Sequence, residues 1–489
     1  MRKGVVVIVS TTMAVVAVGA FIRKWKRWKE QQMKQTKHII RKFARESATP
    51  LAKLWQVADD MVSSMKISLA SSGESSSLDM VLSDVTSLPL GDEEGFFYGA
   101  NLHGTHLLML CARLGGKNMP ISALQREQIS IPDAVLAGPS EEITDYVATE
   151  IAKFVSGHSG IDESAPTKNK NLGFTLSYPV DQVMPFMATT FQRKNSNDSV
   201  HKGMVKDLNR ALTNHGVKMQ VASLVDETIG GLAGGRYYNR ESVAAVTLAM
   251  NTNAAYVEPA EEVASDLTQS PNSTELVISM EWGNFNSPHL PLTSYDASVD
   301  AESSNPGSQV FEKLISGMYL GEVVRHVLLK LAQETALFGN TVPPKLRTPY
   351  ILRSPDVASM HQDTSEDREI VAEKLGEIFE IDNCDLMARE VVAEVCDIVA
   401  ERGARLAGAG IVGIIKKLGR IENRKSVVTV EGGLYEHYRI FRNYLHSSVW
   451  EMLGNDLSDN VIIEHSHGGS GTGALFLAAA QTQTHSADS

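Results

Sequence analysis

The chain has 489 residues and a mass of 53.2 kDa, too long for one ordinary core, so two lobes or domains are expected. Its 43% apolar and 21% charged residues fit a folded body, and Cys111, Cys384 and Cys396, scattered and without C-x-x-C spacing, argue against a disulfide framework or a zinc site. The net charge of −12 divides unevenly: residues 1–45 hold twelve Lys and Arg against Glu30, leaving −23 on the other 444, which argues against nucleic acid as a partner.

From Gly4 to Ile22 runs an uncharged stretch, GVVVIVSTTMAVVAVGAFI. As a helix it reaches roughly 28 Å, close to the thickness of a bilayer's hydrocarbon. Arg23, Lys24, Lys26, Arg27 and Lys29 follow at once, with Trp25 and Trp28 among them, as at a membrane interface with the body in the cytosol. A cleaved secretory signal is the competing reading. The length of the stretch and the abrupt cations favour an uncleaved anchor. Its modest hydrophobicity suits the mitochondrial outer membrane, and the sequons at Asn197 and Asn272 are then expected to be unused.

Residues 30–70 carry apolar positions at helical spacing (Ile39, Ile40, Phe43, then Leu51, Leu54, Val57, Met61), broken at Pro50. The basic face of 34–45 reads as a solvated helix near the membrane rather than a partner site, and anionic lipid would also suit it. SSGESSS at 71–77 is a connector. Residues 96–114 are two apolar runs joined at His103-Gly104, and 243–258 repeat that design. Further strands are expected at 172–178, 276–281 and 426–430. Long helices are expected from Phe311 to Phe338 and over 383–418. The end, NVIIEHSHGGSGTGALFLAAA, reads strand, glycine-rich turn, helix. Hairpins followed by helices, twice over, suggest a duplicated α/β lobe, with a cleft where a nucleotide and a small substrate meet.

The GGSGTG run at 468–473 would let backbone N–H groups approach phosphate oxygens at a helix start, though such turns are also plain structural elbows. Glu464, His465 and His467 read as polar loop, not a metal site, and Met184, Met187 and Met250 as packing.

Several segments together carry a resemblance: SLVDETIGGLAGGRYYN at 223–239, MEWGNF at 280–285, SNPGSQVFEKLISGMYLGE at 304–322, FGNTVPPKL at 338–346, SMHQD at 359–363 and EGGLYEHY at 431–438. From Thr49 to about Ala480 the chain resembles plant hexokinases, and within them the divergent hexokinase-like proteins. The resemblance implies an α/β, two-lobed actin-like ATPase (ribonuclease H-like) fold behind the N-terminal transmembrane helix. It also implies MgATP as the donor of a phosphoryl group to the 6-hydroxyl of glucose or fructose, with Mg held only through ATP. The expected layout is an anchor and basic flank at 1–46, a small-lobe region at 47–235, a large-lobe region at 240–480 and a flexible tail at 481–489.

Carried over by motif, the sugar ligands are Asp226, Asn253, Glu281 and Glu312, and the nucleotide contacts are Gly104, Thr105, Thr252, Gly432, Gly433, Ser470 and Gly471. Glu227 stands where the family has its catalytic Asp, and Asp226 where it has Asn. A glutamate carboxylate sits about one methylene further out, and a displacement near 1 Å can cost on the order of 10²-fold. The first phosphate turn, Asp-x-Gly-Gly-Thr in the family, is Asn101-Leu102-His103-Gly104-Thr105 here, so a Cβ and an imidazole crowd a turn built for close backbone approach. The second, Gly-Thr-Gly-Thr-Asn, is Ala249-Met250-Asn251-Thr252-Asn253. The family's sugar-binding Thr-Lys pair has no clear equivalent in 181–200, where Lys194 is the nearest substitute. Asp-Gly-Gly has become Glu431-Gly432-Gly433.

These departures lead to the expectation of a hexokinase fold with weak or lost activity, kept as a sugar-responsive protein. A slow kinase using Glu227 as base, and a membrane adaptor that binds neither ligand, are the alternatives.

Overall fold

The computed structural model describes residues 30–70, 76–116, 119, 121–158, 170–176, 197–264 and 274–487. The expected anchor at 4–22, residues 71–75 of the connector, Asn272, and most of the 181–200 stretch with Met184, Met187 and Lys194 lie outside them. Among the described residues no helix is long and apolar enough to cross a membrane.

The chain forms two compact units. The first gathers the described residues of Met1–Ala48 with Pro291–Val299 and Leu320–Ala400, and holds helices throughout. Phe43 is buried there, edge-on to Tyr295 at 5.2 Å. Arg325, fully buried, donates to the Glu322 carboxylate at 2.7 Å and to the Leu346 carbonyl at 2.9 Å. The exposed cations Lys34, Lys37, Arg41, Lys42 and Arg45 line the solvent side of the 30–47 helix.

The second unit contains Thr49–Leu290, Asp300–Tyr319 and Glu401–Ser489 and holds two sheets of the same wiring. In the five-stranded sheet, β2 (Glu94–His103), β3 (His106–Gly115) and β4 (Ser122–Ser130) form an antiparallel meander, while β5 (Lys170–Leu176) and β6 (Met219–Asp226) run parallel beyond β2. In the six-stranded sheet, β7 (Ser242–Leu248), β8 (Thr252–Pro259) and β9 (Glu275–Ser279) make the meander. There β10 (Ser426–Glu431) and β11 (Val461–His465) lie parallel beyond β7, and the two-residue β1 (Val81–Leu82) pairs with β9. The duplication expected from the paired hairpins is therefore present. Strand β7 is buried at every position, as its SVAAVTL run requires for a strand covered on both faces.

Two helices lie against each other and against both sheets. Glu227–Tyr238 packs on β7, β8 and β10, and Gly469–Ala487 on β2, β5 and β6. The first is buried from Glu227 to Tyr237, so it has no polar face. Their approach is close enough that a Cβ on Gly473 would stand 1.7 Å from the Gly230 carbonyl oxygen. Packing offsets the intrinsic cost of glycine inside a helix, about 1 kcal/mol each.

The structure departs from the expected elements at four places. The single helix expected from Phe311 to Phe338 is two, Val310–Ile315 and Gly317–Thr335, with Ser316 extended between them. The break frees the N–H groups of Gly317 and Met318 to donate to the carbonyls of Ala249 (2.8 Å) and Met250 (3.0 Å). Met250, expected in packing, is exposed at the tip of that turn. Strands β4 and β6 are additions to the expected set. The last helix runs on to Ala487, with Gln481 and Thr482 bonded to Thr86 and Asn171.

Candidate active site

The β2–β3 ladder runs to His103↔His106, so the turn is Gly104-Thr105, with Gly104 at φ +54°. This places Asn101 and His103 on the same face of β2, two residues apart. Asp226 ends β6 and caps the Glu227–Tyr238 helix, its Oδ1 accepting from the Ile229 N–H at 2.9 Å. Glu227 is therefore the first residue of that helix, where the positive end favours an anionic carboxylate.

The side chains meet there. His103 Nδ1 lies 2.6 Å from Glu227 Oε1, and Asn101 Nδ2 donates to the same oxygen at 3.2 Å. Asn101 Nδ2 also donates to Ser470 Oγ at 2.8 Å, at the start of the Gly469–Ala487 helix. Asn101 and His103, both on β2, thus meet at one oxygen of Glu227. Glu227 is nearly buried, while the His103 side chain is 54% exposed.

A second cluster surrounds Glu281. Asn253 Nδ2 donates to Glu281 Oε1 at 3.0 Å and to Ser279 Oγ at 2.9 Å, and Ser279 Oγ donates to Glu281 Oε1 at 3.0 Å. The Ser279 hydroxyl is also within hydrogen-bonding reach of Asp226. Glu281 itself is in the left-handed region at φ +49°. Glu312 Oε2 accepts from the Thr252 N–H at 3.1 Å. The Thr252 hydroxyl is engaged inside the fold, donating to the Thr247 carbonyl and accepting from the Trp282 indole, both at 2.9 Å.

Electrostatically the carboxylates form a row. Glu431 and Asp226 each feel the charge of Glu227, Glu281 that of Asp226, and Glu312 that of Glu281. Burial pushes Glu312 up to about 8, and burial with the Asp226 charge pushes Glu281 up to about 7. Burial also raises Asp226 against the hydrogen bonds of Ser279 and the Ile229 amide, and lifts Glu431 well above the usual range. His103 is held above its ordinary value by the hydrogen bond and charge of Glu227. Such a row offers both carboxylic acid donors and carboxylate acceptors to a polyhydroxyl ligand.

Among the residues expected to meet a nucleotide, Gly432 takes φ +105°, and a Cβ there would meet the Leu248 carbonyl oxygen at 2.4 Å. Gly433 opens a short helix behind it. Gly468 and Gly469, both at positive φ, lead into the helix holding Ser470 and Gly471. The free N–H groups of that helix start suit a phosphate. One is already used, since the Ser470 N–H donates to Glu431. Thr105 pairs with His106 at 3.1 Å. Glu464 and His465 end β11, with His465 3.2 Å from Arg442.

Two hexokinase family models match the chain, over residues 39–237 and 243–480. The chain belongs to the hexokinase family. It is 46% identical to hexokinase-1 of Spinacia oleracea over 492 aligned residues, covering 99% of each chain. It is 44% identical to hexokinase-2 of Arabidopsis thaliana, covering 99% of this chain and 97% of that one. Among solved structures it is similar to the hexokinase of Schistosoma mansoni in complex with glucose. That match has a TM-score of 0.77 and 26% identity, covering 92% of this chain and 99% of that one. A second hexokinase crystal structure shares the fold at a TM-score of 0.73.

Within this hexokinase fold several of the motif-derived residues fall into contact groups, Glu312 with Thr252 being one. Glu227 and Ser470 are joined through Asn101, and Asp226, Asn253 and Glu281 through Ser279. Sequence reasoning misses Ser279, although its place two residues before Glu281 on β9 is a usable signal. The imidazole of His103, expected to crowd the turn, reaches Glu227 instead.

Proposed function

We propose that this hexokinase-family chain binds a hexose through Asp226, Asn253, Glu281 and Glu312. Its transfer of a phosphoryl group from MgATP to the 6-hydroxyl is weak or lost, and its retained role is sugar-responsive. The observation that carries this reading is the buried Asn101 amide, which donates to both Glu227 Oε1 and Ser470 Oγ and so ties the expected base to the neighbouring helix start. The binding half is supported by the ordered bonds around Glu281, which hold the expected sugar ligands together. MgATP would be held at Gly104, Thr105, Gly432, Gly433, Ser470 and Gly471, with Thr252 as support from within the fold. It would supply the transferable phosphoryl group. The body faces the cytosol from a membrane, the mitochondrial outer membrane by the character of residues 4–22 and their basic flank.

The direct test is the melting temperature of the full chain with glucose and with fructose, beside Glu281→Gln. A rise with sugar that the variant loses is expected. No shift with either sugar, nucleotide or sugar phosphate would favour a membrane adaptor. The alternative of a slow kinase rests on Glu227 remaining at a helix start, where the positive end of the helix favours a carboxylate.

A further inference from the structure

The contact between His103 and Glu227 joins two positions 124 residues apart. Each partner is shaped for the other. Glu227 is a nearly buried carboxylate at a helix start, and the exposed edge of the His103 ring is open to water. The lone pairs of Glu227 Oε1 are filled by two donors, the His103 ring at 2.6 Å and the Asn101 amide at 3.2 Å. A sugar hydroxyl that is to bond this oxygen must displace one of them. Asn101 is anchored at its other end on Ser470 and is buried. His103 is half exposed and borders a two-residue turn. A Cβ placed on the neighbouring Gly104 would meet nothing within 4 Å, so the turn beside His103 is open.

We propose that His103 is a positioning residue for Glu227, and that a hexose enters by taking over its hydrogen bond and swinging the imidazole into water. This rests on the reading of the cleft as a hexose site. The consequence is a proton coupling. Paired with Glu227, the ring holds its proton above the ordinary titration point of about 6.5. Released into water, it returns to that value. Binding therefore expels a proton between about 6.5 and the raised value, and affinity rises with pH there, by at most about tenfold per pH unit. Below and above that window the dependence on His103 vanishes. The other charged groups about the pair are Asp226, Glu431 from β10 and Glu436 beyond it, with His106 across the turn. Glu227 is the group that favours the protonated ring in the empty site, against the cost of burying it.

The test is calorimetric titration of glucose into the full chain in detergent at pH 6, 7 and 8, each in two buffers of different ionisation enthalpy. His103→Gln and Glu227→Gln run beside it, with circular dichroism confirming that each melts cooperatively. Proton release on binding and tighter binding at higher pH in the wild type, both reduced in His103→Gln, are expected, any remainder belonging to Glu281 and Glu312. Wild-type affinity independent of pH, or the same proton release in His103→Gln, overturns the proposal while leaving the hexose site intact. No heat and no thermal shift in any of the three proteins would remove the hexose reading itself, and this proposal with it.

Discussion

Asn101 donates through one amide nitrogen to Glu227 Oε1 at 3.2 Å and to Ser470 Oγ at 2.8 Å. The expected base is thereby tied to the helix start expected to carry phosphate. The other amide atom, Oδ1, is buried with no partner among the described residues.

Asn101→Asp would set a second carboxylate against Glu227 and remove the donor. Like charges at this separation raise one pKa of the pair, so the variant is stabilised when one is protonated. The expected loss is about 1–3 kcal/mol at pH 8, smaller at pH 5. Urea unfolding at the two pH values measures it.

Glu312, pushed to about 8 from an ordinary 4.5, binds its proton more tightly folded than unfolded. The native state therefore holds more protons between those values, and its stability falls as pH rises through that window. Below the unfolded value the contribution is fully present. Glu312→Gln should flatten the decline in melting temperature from pH 5 to 8; an unchanged slope would assign the decline to other groups.

Lys417 and Glu258 form a buried ion pair at 2.6 Å, with side chains 2% and 1% exposed. Lys417→Met leaves an uncompensated carboxylate and should cost about 3–5 kcal/mol. The double variant Lys417→Met with Glu258→Leu should recover most of that loss. A chemical denaturation series on the three proteins decides it.

Gly473→Ala tests the helix crossing that separates the two sheets. The new Cβ would overlap the Gly230 carbonyl, so the two helices must part along much of their length. Overpacking of this kind costs about 1–3 kcal/mol or more. A variant as stable as the wild type would contradict the observed contact.

The paired hairpins are legible in the sequence because each is two apolar runs about a polar turn, and β7 and β10 because they are short buried runs. Strand β4 escapes because SALQREQIS is largely exposed and has no apolar face to betray it. Strand β6 lies inside a motif read for its chemistry. The break at Ser316 has no proline and falls beside Gly317, a weak point of the helical pattern; what fixes it there is not legible, since the freed N–H groups bond to Ala249 and Met250, far away in sequence. The same holds in the site. Motifs name Asp226, Asn253, Glu281 and Glu312, but the partnership of His103 with Glu227 depends on which strand ends beside which helix.

Weak or lost phosphoryl transfer is tested most directly by ADP release from the full chain in detergent with MgATP and glucose or fructose, beside Glu227→Ala. The Glu227 carboxylate, one methylene longer than the expected Asp and tied through Asn101 to Ser470, predicts turnover at least about a hundredfold below the 1–100 s⁻¹ usual for kinases, while glucose still raises the melting temperature. Turnover within about tenfold of that range, abolished in Glu227→Ala, would contradict it and make this chain a working hexokinase.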